Sequence, residues 1–372
     1  PAAGISFYTF HSMSYVFDVY RRFTPVQRDF LLFANYVIFF PQLVAGPILR
    51  AREVIWQIEM RKPFRIDFLT TGLKWILSGL FLKVVLADNI ADLVDTGFAT
   101  PAGQLGAVDV WALALLFGFQ IYFDFAGYSQ IALGSARLLG IDFPFNFNFP
   151  YLANSPRDFW RRWHISLSSW IRDYLYLPLC GVKVRQPPIS EGGLAEATEG
   201  SAEQVGQGRK TFALFATWAL MGLWHGANWT FVLWGLWHAG LILAYRLCAA
   251  RLRFFGTGAT WALGWALTLP AVMLAWIPFR AQSLTDALQM MATALTPSAY
   301  LAGLSFPRHY YMVAAALLAA NALAWLAVRN LLPRLRNTGL PRLALDYAGL
   351  SAAVALVFIF LRPIRQFIYF QF

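Results

Sequence analysis

Long apolar stretches alternate with short polar connections along most of the chain. In lipid, every backbone N–H and C=O group must be paired within the structure, so stretches of about 20 apolar residues are predicted to be membrane-spanning helices. Segment 4–20 is rich in aromatic residues and is interpreted as the end of another span. The pattern predicts an all-α, polytopic integral membrane protein. Its spans are placed at 30–49, 67–87, 108–134, 211–226, 229–247, 259–279, 310–328 and 343–361.

The polar connections differ in charge, and this difference predicts the orientation. Lys and Arg are concentrated in the connections at 50–65, 157–185, 246–253 and 329–342. Segment 88–109 contains four aspartates and no Lys or Arg. Because cytoplasmic connections carry the excess of basic residues, the four basic connections are predicted to be cytoplasmic. Arg362 and Arg365 would then lie outside, as exceptions to the pattern.

Two connections have a distinct composition. Residues 183–210 are rich in Gly, Glu, Ser and Ala and nearly lack large apolar side chains, so this segment is predicted to be a mobile cytoplasmic loop. Residues 157–179 are predicted to form an amphipathic helix lying flat at the cytoplasmic surface. Its apolar stripe consists of Trp160, Trp163, His164, Leu167, Trp170, Ile171 and Tyr174. Its polar side consists of Arg161, Arg162, Ser169, Arg172 and Asp173.

Composition agrees with a membrane protein and narrows the possible functions. Apolar residues make up 58% of the chain and charged residues only 13%, about half the usual share of a soluble domain. The net charge of +11 comes mostly from short connections between spans, which argues against nucleic acid as a partner. Cys180 and Cys248 form no disulfide framework, and no metal-ligand spacing is visible. Nucleotide-binding and serine-hydrolase motifs are also missing from the sequence.

His225 is the main candidate for chemistry. Span 211–226 would reach only about 23 Å as a helix, and another span begins at once after Ala227 and Asn228. The turn containing His225 is therefore predicted to be recessed in the membrane, where a polar residue lines a cavity or pairs with a neighbour. An imidazole can take a proton from a hydroxyl group near neutral pH. A structural histidine, hydrogen-bonded between packed helices, is the alternative.

Other polar residues are weaker candidates. His164 lies on the apolar stripe, either packed there or facing the same cavity as His225. Asp124 lies within a span, where it either orients a substrate or forms an ion pair with Lys74 or Lys83, or a hydrogen bond with a tyrosine. Arg161 and Arg162, with Arg157 and Arg172, either bind the phosphates of an acyl donor or anchor the surface helix to anionic lipid. His238 is expected to pack between helices.

Several ordered motifs carry a resemblance to a known family. They are G-I-S-F-Y-T-F from Gly4, F-F-P-Q-L-V-A-G-P-I from Phe39, F-Q-I-Y-F-D-F-A-G-Y-S from Phe119, F-W-R-R-W-H-I-S-L-S-S-W from Phe159, R-D-Y-L-Y-L-P-L from Arg172, G-L-W-H-G-A-N-W from Gly222 and F-I-Y-F-Q-F from Phe367. In this order they resemble the membrane-bound O-acyltransferase family, and within it the membrane subunits of alginate O-acetyltransferases. The resemblance runs over residues 1–372, which are expected to form one membrane domain of this family, shortened at its N-terminus.

The resemblance implies a fold, a site and an activity. The fold would be a ring of transmembrane helices around a thin core, with interfacial amphipathic helices. The family's essential histidine corresponds to His225 and its second histidine to His164, while Trp224 and Asn228 would shape and orient the site. Asp124, Arg161 and Arg162 complete the predicted substrate-binding and donor-binding set, without a metal.

The implied reaction is the transfer of an acetyl group from a cytoplasmic thioester, such as acetyl-CoA, toward a polysaccharide such as alginate. The acyl unit would pass to the polysaccharide directly or through a periplasmic partner protein. No tightly bound cofactor is expected, and membrane lipids would surround the protein. The expected location is the cytoplasmic (inner) membrane of a bacterium. The alternatives are D-alanyl transfer to teichoic acid and a transporter or channel without chemistry.

Overall fold

A computed structural model describes residues 5–43, 46–60, 62–182, 205–251, 259–331, 339–361, 363, 365 and 367. These residues form helices and irregular connections, with no strand among them. The helices are α1 Ile5–Tyr20, α2 Phe30–Ile38, α3 Phe40–Leu43, α4 Ala51–Glu59, α5 Ile66–Leu80, α6 Asp88–Ala99, α7 Ala107–Leu138, α8 Pro156–Trp160, α9 Ile165–Ile171, α10 Leu177–Cys180, α11 Gln207–His225, α12 Trp229–Arg251, α13 Ala259–Arg280, α14 Leu284–Leu295, α15 Arg308–Leu326 and α16 Gly339–Ile359. π-helical turns span Phe81–Ala87, Arg172–Tyr176 and Ala327–Leu331.

The protein is an all-α, multi-pass membrane protein, as the apolar pattern predicts. Four helices of the described part are long and apolar enough to cross a bilayer: Ala107–Leu138, Trp229–Cys248, Thr260–Arg280 and Arg308–Leu326. They coincide with the spans predicted at 108–134, 229–247, 259–279 and 310–328. Helical segments also cover the spans predicted at 67–87 and 211–226 and most of that at 343–361. Residues 183–204 of the predicted loop 183–210 lie outside the described residues. Its last four residues, 207–210, belong to α11.

The prediction of one continuous span at 30–49 is wrong. Helix α2 ends at Ile38, Phe39 has non-helical backbone angles (φ −58°, ψ 111°), and α3 has only four residues. Pro41 has no N–H for the next helical hydrogen bond, and its ring would crowd the preceding turn, which explains the break. The non-helical backbone beyond α3 is paired by side chains instead. Tyr36 donates its hydroxyl hydrogen to the carbonyl of Leu49 at 2.8 Å.

The prediction of one amphipathic helix at 157–179 is also wrong. Helix α8 ends at Trp160 and α9 begins at Ile165, and His164 between them has left-handed backbone angles, φ 42° and ψ 56°. Residues before and after this turn therefore lie on separate helices and share no single stripe. Asp173, assigned to the polar side, is buried in an ion pair with Arg50.

The described residues divide into two compact units. The first comprises 1–76, 129–148 and 160–220, and the second comprises 77–128, 149–159 and 221–372. In the first unit, Tyr174 donates its hydroxyl hydrogen to Asp18 at 2.8 Å, and burial raises the pKa of Tyr174 so that this donor stays protonated. The guanidinium groups of Arg21 and Arg50 lie 5.5 and 5.6 Å from the centre of the Tyr174 ring. Cation–π contacts of this kind attract guanidinium groups to the faces of aromatic rings.

The second unit accounts for one exception to the charge pattern. Arg365 forms an ion pair with Asp95 at 2.9 Å and another with Asp92. Arg280 pairs with Asp95 as well, at 2.8 Å. Asp92 and Asp95 belong to the acidic segment 88–109, so the charge of Arg365 is compensated there.

Candidate active site

The α11–α12 hairpin places His225 at the last residue of α11, followed by a turn of three residues. A Cβ atom added to Gly222 would lie 2.3 Å from the carbonyl oxygen of Phe231, closer than such atoms ever come. Glycine at this position therefore allows α11 and α12 to approach backbone to backbone. The predicted hairpin with His225 at its turn is present in the structure.

Asn228 ends this turn and caps α12. Its side-chain Oδ1 accepts a hydrogen bond from the backbone N–H of Thr230 at 3.1 Å, and its carbonyl accepts one from Phe231 at 3.1 Å. Asparagine is among the best residues at a helix N-cap, because its oxygen satisfies an amide that the helix leaves unpaired. The structure thus gives Asn228 a structural role beside the predicted orienting role. Asn228 is exposed and follows His225 by three residues in the sequence.

Three aromatic rings surround the His225 imidazole. Trp224, Trp234 and Phe279 have ring centres 4.7, 4.9 and 5.1 Å from that of His225, and all three meet it edge to face. These rings come from α11, α12 and α13, so three helices fix the direction of one half-buried imidazole. Aromatic walls of this kind exclude water from the part of the ring that they cover. Trp224, predicted to shape the site, does contact His225.

His238 extends the same aromatic layer one turn deeper into α12. Its ring lies 5.1 Å from that of Trp234 and 6.0 Å from that of Phe159, parallel to the latter within 3°. His238 is fully buried, in agreement with the expectation that it packs between helices. Trp234 contacts both histidines. The spacing of Trp234 and His238, four residues apart in one helix, was the only sign of this layer in the sequence.

Asp124 is engaged in an ion pair in the second unit. The Nζ atom of Lys83 lies 2.5 Å from Asp124 and 2.8 Å from Asp88. Lys83 belongs to the π-helical turn after α5, and a Cβ atom on Gly127 would lie 2.8 Å from the carbonyl oxygen of Gly79. These glycines bring α5 and α7 close together at this level. The structure therefore contains the ion pair that was one of the two interpretations of Asp124. Its partner in this ion pair is Lys83.

The remaining predicted residues lie in the first unit. His164 is buried at the turn before α9, with its ring 6.4 Å from that of Phe147 and parallel within 18°. Arg161 is exposed, and Arg162 donates a hydrogen bond to the carbonyl of Asn148 at 3.3 Å. The structure thus groups His225, Trp224 and Asn228 on one hairpin, and groups His164, Arg161 and Arg162 at one turn.

Comparison with known proteins identifies similar sequences. Residues 7–190 match the model of the membrane-bound O-acyltransferase family. A probable alginate O-acetylase AlgI from Azotobacter vinelandii is 40% identical over 290 residues, which cover 78% of this chain and 52% of that protein. A peptidoglycan O-acetyltransferase from Helicobacter pylori is 34% identical, over 77% of this chain and 55% of that protein.

A more distant relative carries a different activity in its name. The teichoic acid D-alanyltransferase of Streptococcus thermophilus is 29% identical, over 64% of this chain and 56% of that protein. The chain therefore spans about half the length of the curated relatives it matches.

Proposed function

Because the chain belongs to the membrane-bound O-acyltransferase family, we propose that it transfers an acetyl group from a thioester to a hydroxyl group of an extracytoplasmic polysaccharide such as alginate. The observation that carries this proposal is the position of His225, which three aromatic side chains contact at the turn of the hairpin formed by α11 and α12. The names of the alginate and peptidoglycan O-acetylases that resemble the chain support acetyl as the group and a polymer as the acceptor.

His225 would act as the general base. A ring nitrogen of its neutral imidazole accepts the proton of the acceptor hydroxyl while the hydroxyl oxygen attacks the thioester carbonyl. A carbon–oxygen bond forms, the carbon–sulfur bond breaks, and the proton passes from the imidazolium to the departing thiolate. The edge-to-face contacts of Trp224, Trp234 and Phe279 limit rotation of the ring, so the nitrogen keeps one direction through the reaction.

The acyl donor would approach from the cytoplasm, and acetyl-CoA is the donor we propose. Its phosphates would bind to Arg161 and Arg162, whose planar guanidinium groups suit phosphate oxygens. The arginines lie at the turn that also contains His164. The acyl unit would leave on the opposite face of a bacterial inner membrane, directly to the polysaccharide or to a periplasmic acetyl-transfer protein.

The test compares histidine variants of the full-length protein in cells that lack their own O-acetylase. His225→Ala should reduce ester-linked acetate on the polysaccharide by roughly 10²–10⁴-fold, the usual effect of removing a general base. His309→Ala is the matched control, because this histidine is exposed and its removal leaves the hairpin intact. Immunoblots of membrane fractions establish equal protein levels.

Three other outcomes would point elsewhere. A His225→Ala protein that acetylates normally would contradict the proposal and leave transport as the better account. Ester-linked alanine in place of acetate on the polymer would favour D-alanyl transfer. Polysaccharide that lacks both esters in cells with the unchanged protein would show that the chain does not acylate this polymer.

A further inference from the structure

The turn that carries His164 has an unfavourable backbone conformation. His164 has φ 42° and ψ 56°, in the left-handed region that side chains with a Cβ atom rarely adopt. Its carbonyl oxygen nevertheless accepts the hydrogen bond of Ser168, as the residue before a helix does. Such a conformation persists only where surrounding contacts hold it. Those contacts come from residues 146–148, a segment with no role in the proposed acyl transfer.

Residues 146–148 run antiparallel to the His164 turn. The N–H of Asn148 donates to the carbonyl of Arg162, and the N–H of Ile165 donates to the carbonyl of Asn146, both at 2.9 Å. These two bonds fix the peptide groups on either side of His164. Between them, the ring of Phe147 lies against the rings of Trp163 and His164. The turn is thus held at both ends and packed in its middle.

The side chain of Asn146 adds a second set of contacts. Its Oδ1 atom accepts hydrogen bonds from the backbone N–H of Ser166 at 3.2 Å and from the hydroxyl of Ser166 at 2.9 Å. Its Nδ2 atom donates to the hydroxyl oxygen of Ser129 at 3.3 Å. The hydroxyl oxygen of Ser166 also accepts a hydrogen bond from the N–H of Ile48 at 2.9 Å. Asn146 is buried, so water does not compete for these bonds.

We propose that Asn146 is a positioning residue for His164, fixing the direction of its imidazole by holding the backbone of the turn in its left-handed conformation. The inference deepens the proposed function, because it rests on a role for His164 in acyl transfer. Without the contacts of Asn146, the turn can relax toward ordinary backbone angles and the imidazole moves with it. A displacement of about 1 Å in a catalytic site lowers rates by about 10²-fold.

The experiment measures acetyl transfer by purified full-length variants, with folding checked by thermal denaturation in detergent. Asn146→Ala should lower the rate by about 10²-fold. Asn146→Asp retains an oxygen that accepts the two bonds from Ser166, so it should recover most of the activity. Asn148→Ala is the matched control in the same segment: its side chain is exposed, and the substitution leaves the backbone bonds of residue 148 in place. It should behave as the wild type.

The double variant His164→Ala/Asn146→Ala distinguishes positioning from a general structural role. If Asn146 acts through His164, the double variant should be no slower than His164→Ala alone. Losses that multiply would overturn the proposal, as would equal rates for Asn146→Ala and Asn148→Ala. A fully active His164→Ala variant would also overturn it. The proposed acyl transfer is tested separately, by the effect of His225→Ala.

Discussion

Replacing Lys83 by methionine should destabilise the protein more than any other single change in its ion cluster. The side chains of Lys83 and Asp124 are 4% and 3% exposed, and that of Asp88 is 17% exposed. Methionine has a similar length but no charge, so both carboxylates lose the ammonium group that they share. A carboxylate left buried without a partner must be protonated or hydrated at a cost in free energy of unfolding.

The magnitude follows from burial and distance. Unit charges about 4 Å apart attract each other by about 4 kcal/mol at an effective dielectric constant of about 20. Loss of one partner of a buried pair usually costs about 3–5 kcal/mol. We expect Lys83→Met near the upper end of this range, because it affects two carboxylates. Asp124→Leu should cost less, because Lys83 keeps its contact with Asp88 at 2.8 Å.

The double variant Lys83→Met/Asp124→Leu should be more stable than Lys83→Met alone. Replacing both members of a buried pair by apolar groups removes their desolvation penalty together with their attraction. The assay is the retention of a monodisperse species after heating the detergent-solubilised protein, measured for the two single variants and the double variant. Lys74→Met is the matched control, because this lysine is exposed on α5.

Two results would refute this reasoning. Lys83→Met could prove as stable as Lys74→Met, which would mean that the carboxylates find water or protons at little cost. The effects of the single variants could also add in the double variant, which would mean that the two side chains do not interact. Preservation of acyl transfer in the stable double variant would further show that Asp124 has no part in substrate binding.

Two further predictions concern the hairpin. Gly222→Ala should force the hairpin apart and lower both folded yield and activity, because its Cβ would lie 2.3 Å from the carbonyl oxygen of Phe231. The control is Gly240→Ala on α12, which has open space around it and should be neutral. Fluorescence-detected size-exclusion chromatography measures the folded yield of both variants. Asn228→Ala should cost about 1 kcal/mol by removing the cap on the Thr230 amide, and Asn228→Ser should restore it in thermal denaturation of the purified protein.

The membrane helices could be predicted from the sequence because lipid imposes a length and an apolar composition on any spanning segment. The hairpin at His225 was predictable for the same reason, since two spans leave only three residues between them. Its aromatic wall was not predictable. The ring of Phe279 lies 54 positions away in the sequence, and only helix packing brings it to His225.

The breaks in the helices were not predictable from periodicity. Periodicity predicts an apolar stripe across residues 160–174, but nothing in this pattern indicates that His164 adopts a left-handed conformation. The residues that follow His164 are hydrogen-bonded to Asn146, which lies in a loop outside the periodic segment. The partner of Asp124 was likewise undetermined, because Lys74, Lys83 and nearby tyrosines were all within reach. Close approach of α5 and α7 at Gly79 and Gly127 selects Lys83.

The ion pairs of Arg365 constrain the order in which the protein assembles during synthesis. Asp92 and Asp95 precede Arg365 by 273 and 270 residues, so α6 leaves the ribosome long before this arginine exists. Arg280 is made earlier and forms an ion pair with Asp95. Asp92 therefore gains this partner only after α7 to α16 have been synthesised, so its pairing with Arg365 comes late relative to the synthesis of the helices between them.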